Sequence, residues 1–187
     1  MRHDWRFNAR VDTSTAFWAS DWNRYSSGYL QAGEILLEQL REDYTRRDHL
    51  VYPIVFLYRH FLELRLKEIC QRAEILRGDW EDTNMNHDLL ALWKRARPKI
   101  EKEFEGDDPK VLDRIEMNIT KVHQLDPKSM SFRYPVDKKQ RPSVTGREFL
   151  NPFEFVDSLA ETIETLNGVT AGLLVALDYQ NDYGDGE

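Results

Sequence analysis

The sequence predicts an all-α fold, an up-down bundle of about five helices in a single domain. Apolar residues recur at helical spacing in several segments, and typical helix start and stop residues separate many of them. The chain has 187 residues, 41% hydrophobic and 32% charged, which is ordinary for a protein with one buried core. We expect one domain over residues 1–187, with an N-terminal arm at 1–22 and a frayed acidic tail at 181–187.

The first two predicted helices contain the most apolar part of the chain. One runs from about residue 25 to residue 44 and places a row of glutamates on its outer face. The next begins near Asp48, interpreted as its N-cap, and runs to about Leu76, just before Gly78. Its first half, residues 50–58, is apolar almost all round, which is typical of a central, buried helix.

Three further helices follow. The third covers about His87–Phe104, and Pro98 is expected to kink or split it. The fourth has clear start signals, because Asp108 is a good cap and the proline after it suits the first helical position. It ends near Leu125. The last helix begins in the same way, with Asn151 as the cap and a proline after it.

The helical period breaks over residues 128–148. There Met130, Phe132 and Tyr134 alternate with polar residues, and a turn-like stretch rich in lysine and proline follows. This pattern predicts a short β-hairpin or an ordered loop near residues 130–146. An isolated hairpin is marginal in water, so the segment should lean on the bundle.

Charge is distributed unevenly. The formal net charge of −7 argues against nucleic-acid binding through the whole surface. Residues 121–149 nevertheless contain seven basic and three acidic residues, whereas residues 150–187 contain eight acidic ones and no lysine or arginine. Two interpretations follow: a local basic binding surface, or a solvated loop that faces an acidic helix.

The chain lacks the marks of a membrane or secreted protein. No apolar run approaches the roughly 20 residues that a membrane span requires. The N-terminal residues form no apolar signal region, and a single cysteine, Cys70, forms no internal disulfide. We therefore expect a cytoplasmic protein without a membrane partner, in which Cys70 fills the core.

The second helix carries an ionic row on one side of an otherwise apolar rod. These residues are Arg59, His60, Glu63, Lys67 and Gln71. Arg59 with Glu63, and Glu63 with Lys67, have the i, i+4 spacing of helical ion pairs. The row is either a plain solvent-exposed face or the wall of a groove or subunit interface. Tyr52 and Phe56 continue the same side, which favours the groove.

Two more segments offer binding groups. His87, at the start of the third helix, either donates to a neighbouring carboxylate and acts as a base, or makes a structural contact at the helix start. Arg133 lies between two aromatic residues, where it either binds phosphate or carboxylate or pairs with Glu63. Paired cysteines, a Gly-rich phosphate loop and a nucleophile elbow are missing, so we expect no metal and no cofactor.

Three segments together resemble the bacterial HEPN-like proteins. They are residues 52–64 (YPIVFLYRHFLEL), residues 87–93 (HDLLALW) and residues 132–135 (FRYP), within a similarity that extends over about residues 25–180. The resemblance implies a compact helical bundle that usually dimerises. Many such proteins are metal-independent ribonucleases of toxin–antitoxin and antiviral defence systems, and others bind nucleotides or partner proteins without catalysis.

Active HEPN ribonucleases have an arginine followed, after four to six residues, by a histidine. Arg59-His60 resembles the first half of that motif, but residues 64–66 are Leu, Arg and Leu. We therefore expect a non-catalytic or regulatory module that binds RNA, a nucleotide or an antitoxin or defence-system partner, as a homodimer. The alternatives are a divergent ribonuclease, with Arg59 and His60 as catalytic residues, and a purely structural or oligomerisation protein. The residues expected to bind are Tyr52, Glu63, His87, Trp93, Arg133 and Tyr134.

Overall fold

The computed structural model describes residues 18–78, 86–104, 108–144 and 150–183. It confirms the predicted all-α fold. The described residues form five α-helices, with a single turn of 3₁₀-helix, Tyr44–Arg46, between the first two. The helices are α1 (Trp18–Glu42), α2 (Arg47–Arg77), α3 (Leu89–Glu103), α4 (Pro109–Leu125) and α5 (Pro152–Tyr183).

The helix starts follow local capping chemistry. The Asp88 carboxylate accepts hydrogen bonds from the backbone N–H groups of Leu90 and Ala91, and so begins α3. Asp108 caps α4 and Asn151 caps α5, as predicted, each through a side-chain oxygen that accepts a backbone N–H two residues on. His87 therefore lies just before α3, not in its first turn.

The predicted boundaries of α1 and α2 needed correction. α1 already begins at Trp18, so part of the expected arm at 1–22 is helical, while residues 1–17 lie outside the described residues. Asp48 is not the N-cap of α2; it lies in the first turn, where its charge still suits the helix dipole. Gly78 ends α2 as expected, in the left-handed conformation with φ of 68° that favours glycine. α5 extends to Tyr183 and includes the start of the predicted tail at 181–187, whose last four residues are not described.

The segment between α4 and α5 is an ordered loop. Within its described part, residues 126–144, one isolated antiparallel bridge joins Val136 to Pro142, and no strand forms. Asp137 closes the turn, because its carboxylate accepts the backbone N–H groups of Lys139 and Arg141. Of the two predicted alternatives, the structure contains the loop.

α2 is the central helix. It packs against α1, α3 and α5, and α4 closes the bundle against α3 and α5. α2 is central as predicted, but every residue is buried only in its second half, from Phe61 to Glu74. Within the apolar stretch 50–58, Ile54, Val55 and Tyr58 are buried and Tyr52 is 47% exposed, so that stretch is only partly buried. Where α1 crosses it, Gly33 lies directly against the ring of Tyr58. Among the described residues, no helix has the length and apolar character that crossing a membrane requires.

Candidate functional site

The ionic row of α2 is organised around the carboxylate of Glu63. One carboxylate oxygen, Oε2, accepts a hydrogen bond from Arg59 Nη1 at 3.0 Å. The other, Oε1, lies 2.8 Å from Lys67 Nζ and 2.7 Å from His87 Nδ1. The first two contacts follow from the i, i+4 spacing on one helix, and the third brings in the chain before α3. We call these four residues the Glu63 network.

Arg59 connects three parts of the bundle. Its side chain is 0% exposed, and its Nε donates to the backbone carbonyl of Asp126 at 2.9 Å. Its Nη2 donates to the carbonyl of His87 at 2.8 Å. The guanidinium therefore ties α2 to the end of α4 and to the start of α3. Because each of its nitrogens has a hydrogen-bond partner and none of its surface is open to water, Arg59 cannot contact a ligand in this conformation. Its role is to position Glu63, His87 and the chain at Asp126.

Asp126 is the partner that the sequence did not reveal. It follows α4 and is fully buried, with one carboxylate oxygen 3.8 Å from Arg59 Nε. Its other oxygen accepts the backbone N–H groups of Met130 and Ser131 at 2.8 and 3.0 Å. Asp126 thus fixes the start of the α4–α5 loop on the Glu63 network. The only signal in the sequence was an aspartate directly after a helix.

Glu63 is ionised at neutral pH. Burial by itself would raise the pKa of its carboxyl, but the hydrogen bonds and positive charges of Lys67 and His87 outweigh burial and hold the pKa below its usual value. His87 differs from the other members, because 68% of its side chain is exposed. A buried carboxylate therefore orients an imidazole whose remaining edge faces water, an arrangement suited to proton transfer or to hydrogen bonding.

His60, the other candidate catalytic residue, belongs to an aromatic cluster. Its ring meets Tyr29 edge to face at 4.4 Å between centroids and stacks on Phe56 at 5.5 Å. Burial lowers the pKa of His60; the negative charge of Glu63 opposes the shift, and the nearby cations Lys67, Arg133 and Arg59 add to it. The imidazole is therefore neutral at pH 7, and its contacts are mainly with rings.

The α4–α5 loop forms a second part of the candidate site. A cavity of about 330 Å³ lies between this loop and the start of α2. Its walls include Tyr52, Phe132, Arg133 and Tyr134, and we call it the loop cavity. Tyr52 and Tyr134 remain 47% and 45% exposed. The cavity therefore combines open ring surfaces with one cation.

Arg133 rests on aromatic rings. Its guanidinium carbon lies 5.5 Å from the centroid of Phe56 and 5.3 Å from that of Tyr134. The alternative in which Arg133 pairs with Glu63 is not realised, because the Glu63 carboxylate is occupied by the other members of its network. Arg133 thus holds the loop to α2 through its cation–π contact with Phe56, and its Nη2 donates a long hydrogen bond of 3.5 Å to the Tyr134 hydroxyl. Its guanidinium is exposed to solvent.

Trp93 does not join the predicted binding surface. It is only 2% exposed, and its indole N–H donates to Glu116 Oε2 at 3.1 Å. Because Glu116 lies on α4, Trp93 packs α3 against α4 inside the bundle. The predicted binding residues therefore separate into three groups: the Glu63 network with His87, the loop cavity with Tyr52, Arg133 and Tyr134, and Trp93 in the core.

Sequence reasoning missed a second ionic cluster on α2. Arg65, Glu68 and Arg72 are all buried, and both arginines reach the same carboxylate, at 2.8 and 2.7 Å. Their spacing of three and four residues places them on one side of the helix, which was the available signal.

Comparison with protein-family models, with curated proteins and with solved structures gives no match. The function must therefore be inferred from the residues and their geometry.

Proposed function

We propose that this chain is a HEPN-like, non-catalytic module that binds single-stranded RNA or a nucleotide in the loop cavity. The observation that carries the proposal is the pair of half-exposed tyrosines, Tyr52 and Tyr134, beside the guanidinium of Arg133. Aromatic faces stack on bases regardless of sequence, and an adjacent cation meets the phosphate. A cavity of about 330 Å³ has the size of a small-ligand pocket.

Local charge supports this ligand despite the acidic composition of the chain. Lys128, Lys138 and Lys139 lie exposed on the same loop. The carboxylate of Asp137 is paired with Arg141 at 2.6 Å, so it opposes an anion less than a free aspartate would. The loop therefore presents a net positive surface next to stacking rings, which is the usual pattern for binding single strands.

The burial of Arg59 supports a non-catalytic role. In a ribonuclease, this arginine would stabilise charge on the reacting phosphate, which requires direct contact. Here its three nitrogens are occupied by Glu63 and two backbone carbonyls, and its side chain is 0% exposed. Its role in the proposal is to hold the loop and His87 in position.

Fluorescence anisotropy with a labelled single-stranded RNA of twelve nucleotides tests the proposal. Tyr134→Ala removes a stacking surface and should weaken binding by about 1–3 kcal/mol, the usual contribution of one stacked base. Arg133→Ala should weaken binding and reduce the slope of log affinity against log salt by about 0.7, the value for one phosphate contact on a single strand.

Arg41→Ala is the matched control. Arg41 is also an exposed arginine with its guanidinium over an aromatic ring, 5.7 Å from the centroid of Phe153, but it does not line the loop cavity. It should leave RNA binding unchanged. If the parent protein fails to bind at low salt, or if Tyr134→Ala and Arg133→Ala both bind like the parent, the proposal is wrong.

One observation favours a second candidate, the divergent ribonuclease. His87 has the exposed, carboxylate-oriented imidazole of a general acid–base, with Nδ1 at 2.7 Å from Glu63. Cleavage of total RNA in the presence of EDTA, abolished in His87→Ala or His60→Ala, would support it. The cleavage should be retained in the control His49→Ala, since His49 is an exposed histidine in the first turn of α2. If the parent protein does not cleave RNA, the ribonuclease alternative is wrong and the binding module is the remaining proposal.

The remaining parts of the proposal come from the family resemblance. They are a homodimer, a cytoplasmic location, and an antitoxin or other defence-system protein as partner. Sedimentation equilibrium tests the dimer directly, and a monomer at micromolar concentration would contradict it.

A further inference from the structure

The wall of the loop cavity contains a serine hydroxyl without a hydrogen-bond partner. Ser143 lines the cavity, and its Oγ is buried with no partner among the described residues. The backbone N–H of Ser143 donates to the carbonyl of Pro135 at 3.0 Å, which fixes the residue within the loop. We propose that the cavity selects ribose over deoxyribose and that Ser143 contacts the 2′-hydroxyl. This inference rests on the proposed function and adds a sugar specificity to it.

The other groups described in the cavity do not distinguish the two sugars. The rings of Tyr52 and Tyr134 stack on bases, and the guanidinium of Arg133 meets a phosphate. RNA and DNA share both of these features. A protein tells RNA from DNA at a given site through the 2′-hydroxyl, which deoxyribose lacks. Selection of ribose therefore requires a polar group that bonds this hydroxyl.

The chemistry of Ser143 matches the 2′-hydroxyl. Each is a hydroxyl that both donates and accepts, so the two groups can bond in either direction. A buried polar atom without a partner costs free energy, and a ligand hydroxyl would remove that cost. Ser143 is half-buried as a residue, and a change of rotamer about one side-chain bond re-aims its hydroxyl. One such bond should favour RNA over DNA by a factor of about three to ten.

Fluorescence anisotropy with three labelled strands of twelve nucleotides tests this preference. The strands have the same bases, with deoxyuridine in place of thymidine in the DNA, and carry ribose, deoxyribose or 2′-fluororibose. The fluorinated sugar keeps a ribose-like ring shape but has no 2′ hydrogen-bond donor, so that strand should bind like DNA. Binding of the fluorinated strand like RNA would overturn the inference, since ring shape would then determine the preference.

The parent protein separates this inference from the proposed function. Equal binding of RNA and DNA would overturn the sugar specificity and leave the binding module standing. Binding of neither strand at low salt would overturn both.

Ser143→Ala tests the assigned residue. It should lower the affinity for RNA to that for DNA and leave the affinity for DNA unchanged. Because Ser143 Oγ has no partner to lose, the variant should unfold at the same urea concentration as the parent or a higher one. Ser131→Ala is the matched control, because Ser131 is another half-buried serine that lines the cavity, and it should keep the preference for RNA. A preference that survives in Ser143→Ala, or an equal loss of RNA and DNA binding there, would overturn the inference.

Discussion

Replacing Glu63 by glutamine should cost a large part of the stability of this fold. The substitution keeps the size of the side chain and removes only its charge. Glu63 is 1% exposed, and its carboxylate is the direct counter-ion of the buried cations Arg59 and Lys67. Removing one partner of a buried ion pair typically costs about 3–5 kcal/mol, because the other charge stays buried without compensation.

The structure places the expected loss near the lower end of that range. Arg59 keeps two backbone carbonyls and the carboxylate of Asp126, 3.8 Å from its Nε. Lys67 is 9% exposed at its side chain, so part of its charge reaches water. We therefore expect Glu63→Gln to lower the free energy of unfolding by about 3 kcal/mol, a large fraction of the roughly 5–15 kcal/mol that stabilises a typical domain.

The loss should depend on pH. The pKa of Glu63 in the folded state lies below the model-peptide value of 4.5, so its charge stabilises the fold fully above about pH 4.5. That contribution disappears as the pH falls through the folded-state pKa. The difference in stability between the parent and Glu63→Gln should therefore be constant near neutrality and shrink in acid.

Urea denaturation followed by circular dichroism, at pH 7 and at several acidic pH values, measures both effects. Glu161→Gln is the matched control, because Glu161 forms an exposed ion pair with Arg114 at 2.6 Å. The control should unfold like the parent. If Glu63→Gln costs no more than Glu161→Gln at pH 7, the Glu63 network does not stabilise the fold and our account of it is wrong.

Three further predictions concern packing and burial. Gly28→Ala should raise the free energy of unfolding by roughly 0.5–1 kcal/mol, since its new methyl group meets open space in a helix. Gly33→Ala should lower it by roughly 1–3 kcal/mol, because its Cβ would lie 2.7 Å from the buried ring of Tyr58. Thermal unfolding compares the two variants directly, and equal effects would contradict this packing. Burial lowers the pKa of His60, so below about pH 6.5 the unfolded chain binds a proton at this residue more readily than the folded protein does. The free energy of unfolding of the parent should therefore fall as the pH drops below about 6.5, and it should fall less in His60→Phe. An equal dependence on pH in the two proteins would refute this. Burial raises the pKa of the Cys70 thiol to about 12, so a thiol reagent at pH 8 should modify it only after unfolding, and rapid labelling of the native protein would show an error in the core.

Helix starts with strong local chemistry were predictable from the sequence. Asp108 and Asn151 cap their helices as expected, because a cap and the proline after it act within a few residues. Asp48 was misjudged, since an aspartate suits the first turn as well as the N-cap. Pro98 was expected to kink or split α3; α3 continues through it as one helix, so it does not split. Pro98 removes the N–H partner of the Lys94 carbonyl, and both residues lie on the exposed side of α3, where that loss costs less than in the core.

The candidate site was predictable only where its contacts are local. The pairs of Glu63 with Arg59 and with Lys67 follow from helical spacing. The contacts that bury Arg59 join residues 28 and 67 positions apart, so they depend on how α3 and α4 pack on α2. For the same reason, the sequence did not distinguish an arginine that lines a groove from one that ties helix ends together.

The two ionic clusters of α2 also determine how this helix is seated in the bundle. One cluster meets α3 and the end of α4, and the other meets α1 and α5. A slip of one residue turns a helix by roughly 100° and would separate the buried charges from these partners, which is costly. Apolar contacts are less specific, because one apolar side chain can take the place of another of similar size. A buried charge needs its own partner. The two ionic clusters therefore fix the rotation of α2 about its own axis and its position along the bundle.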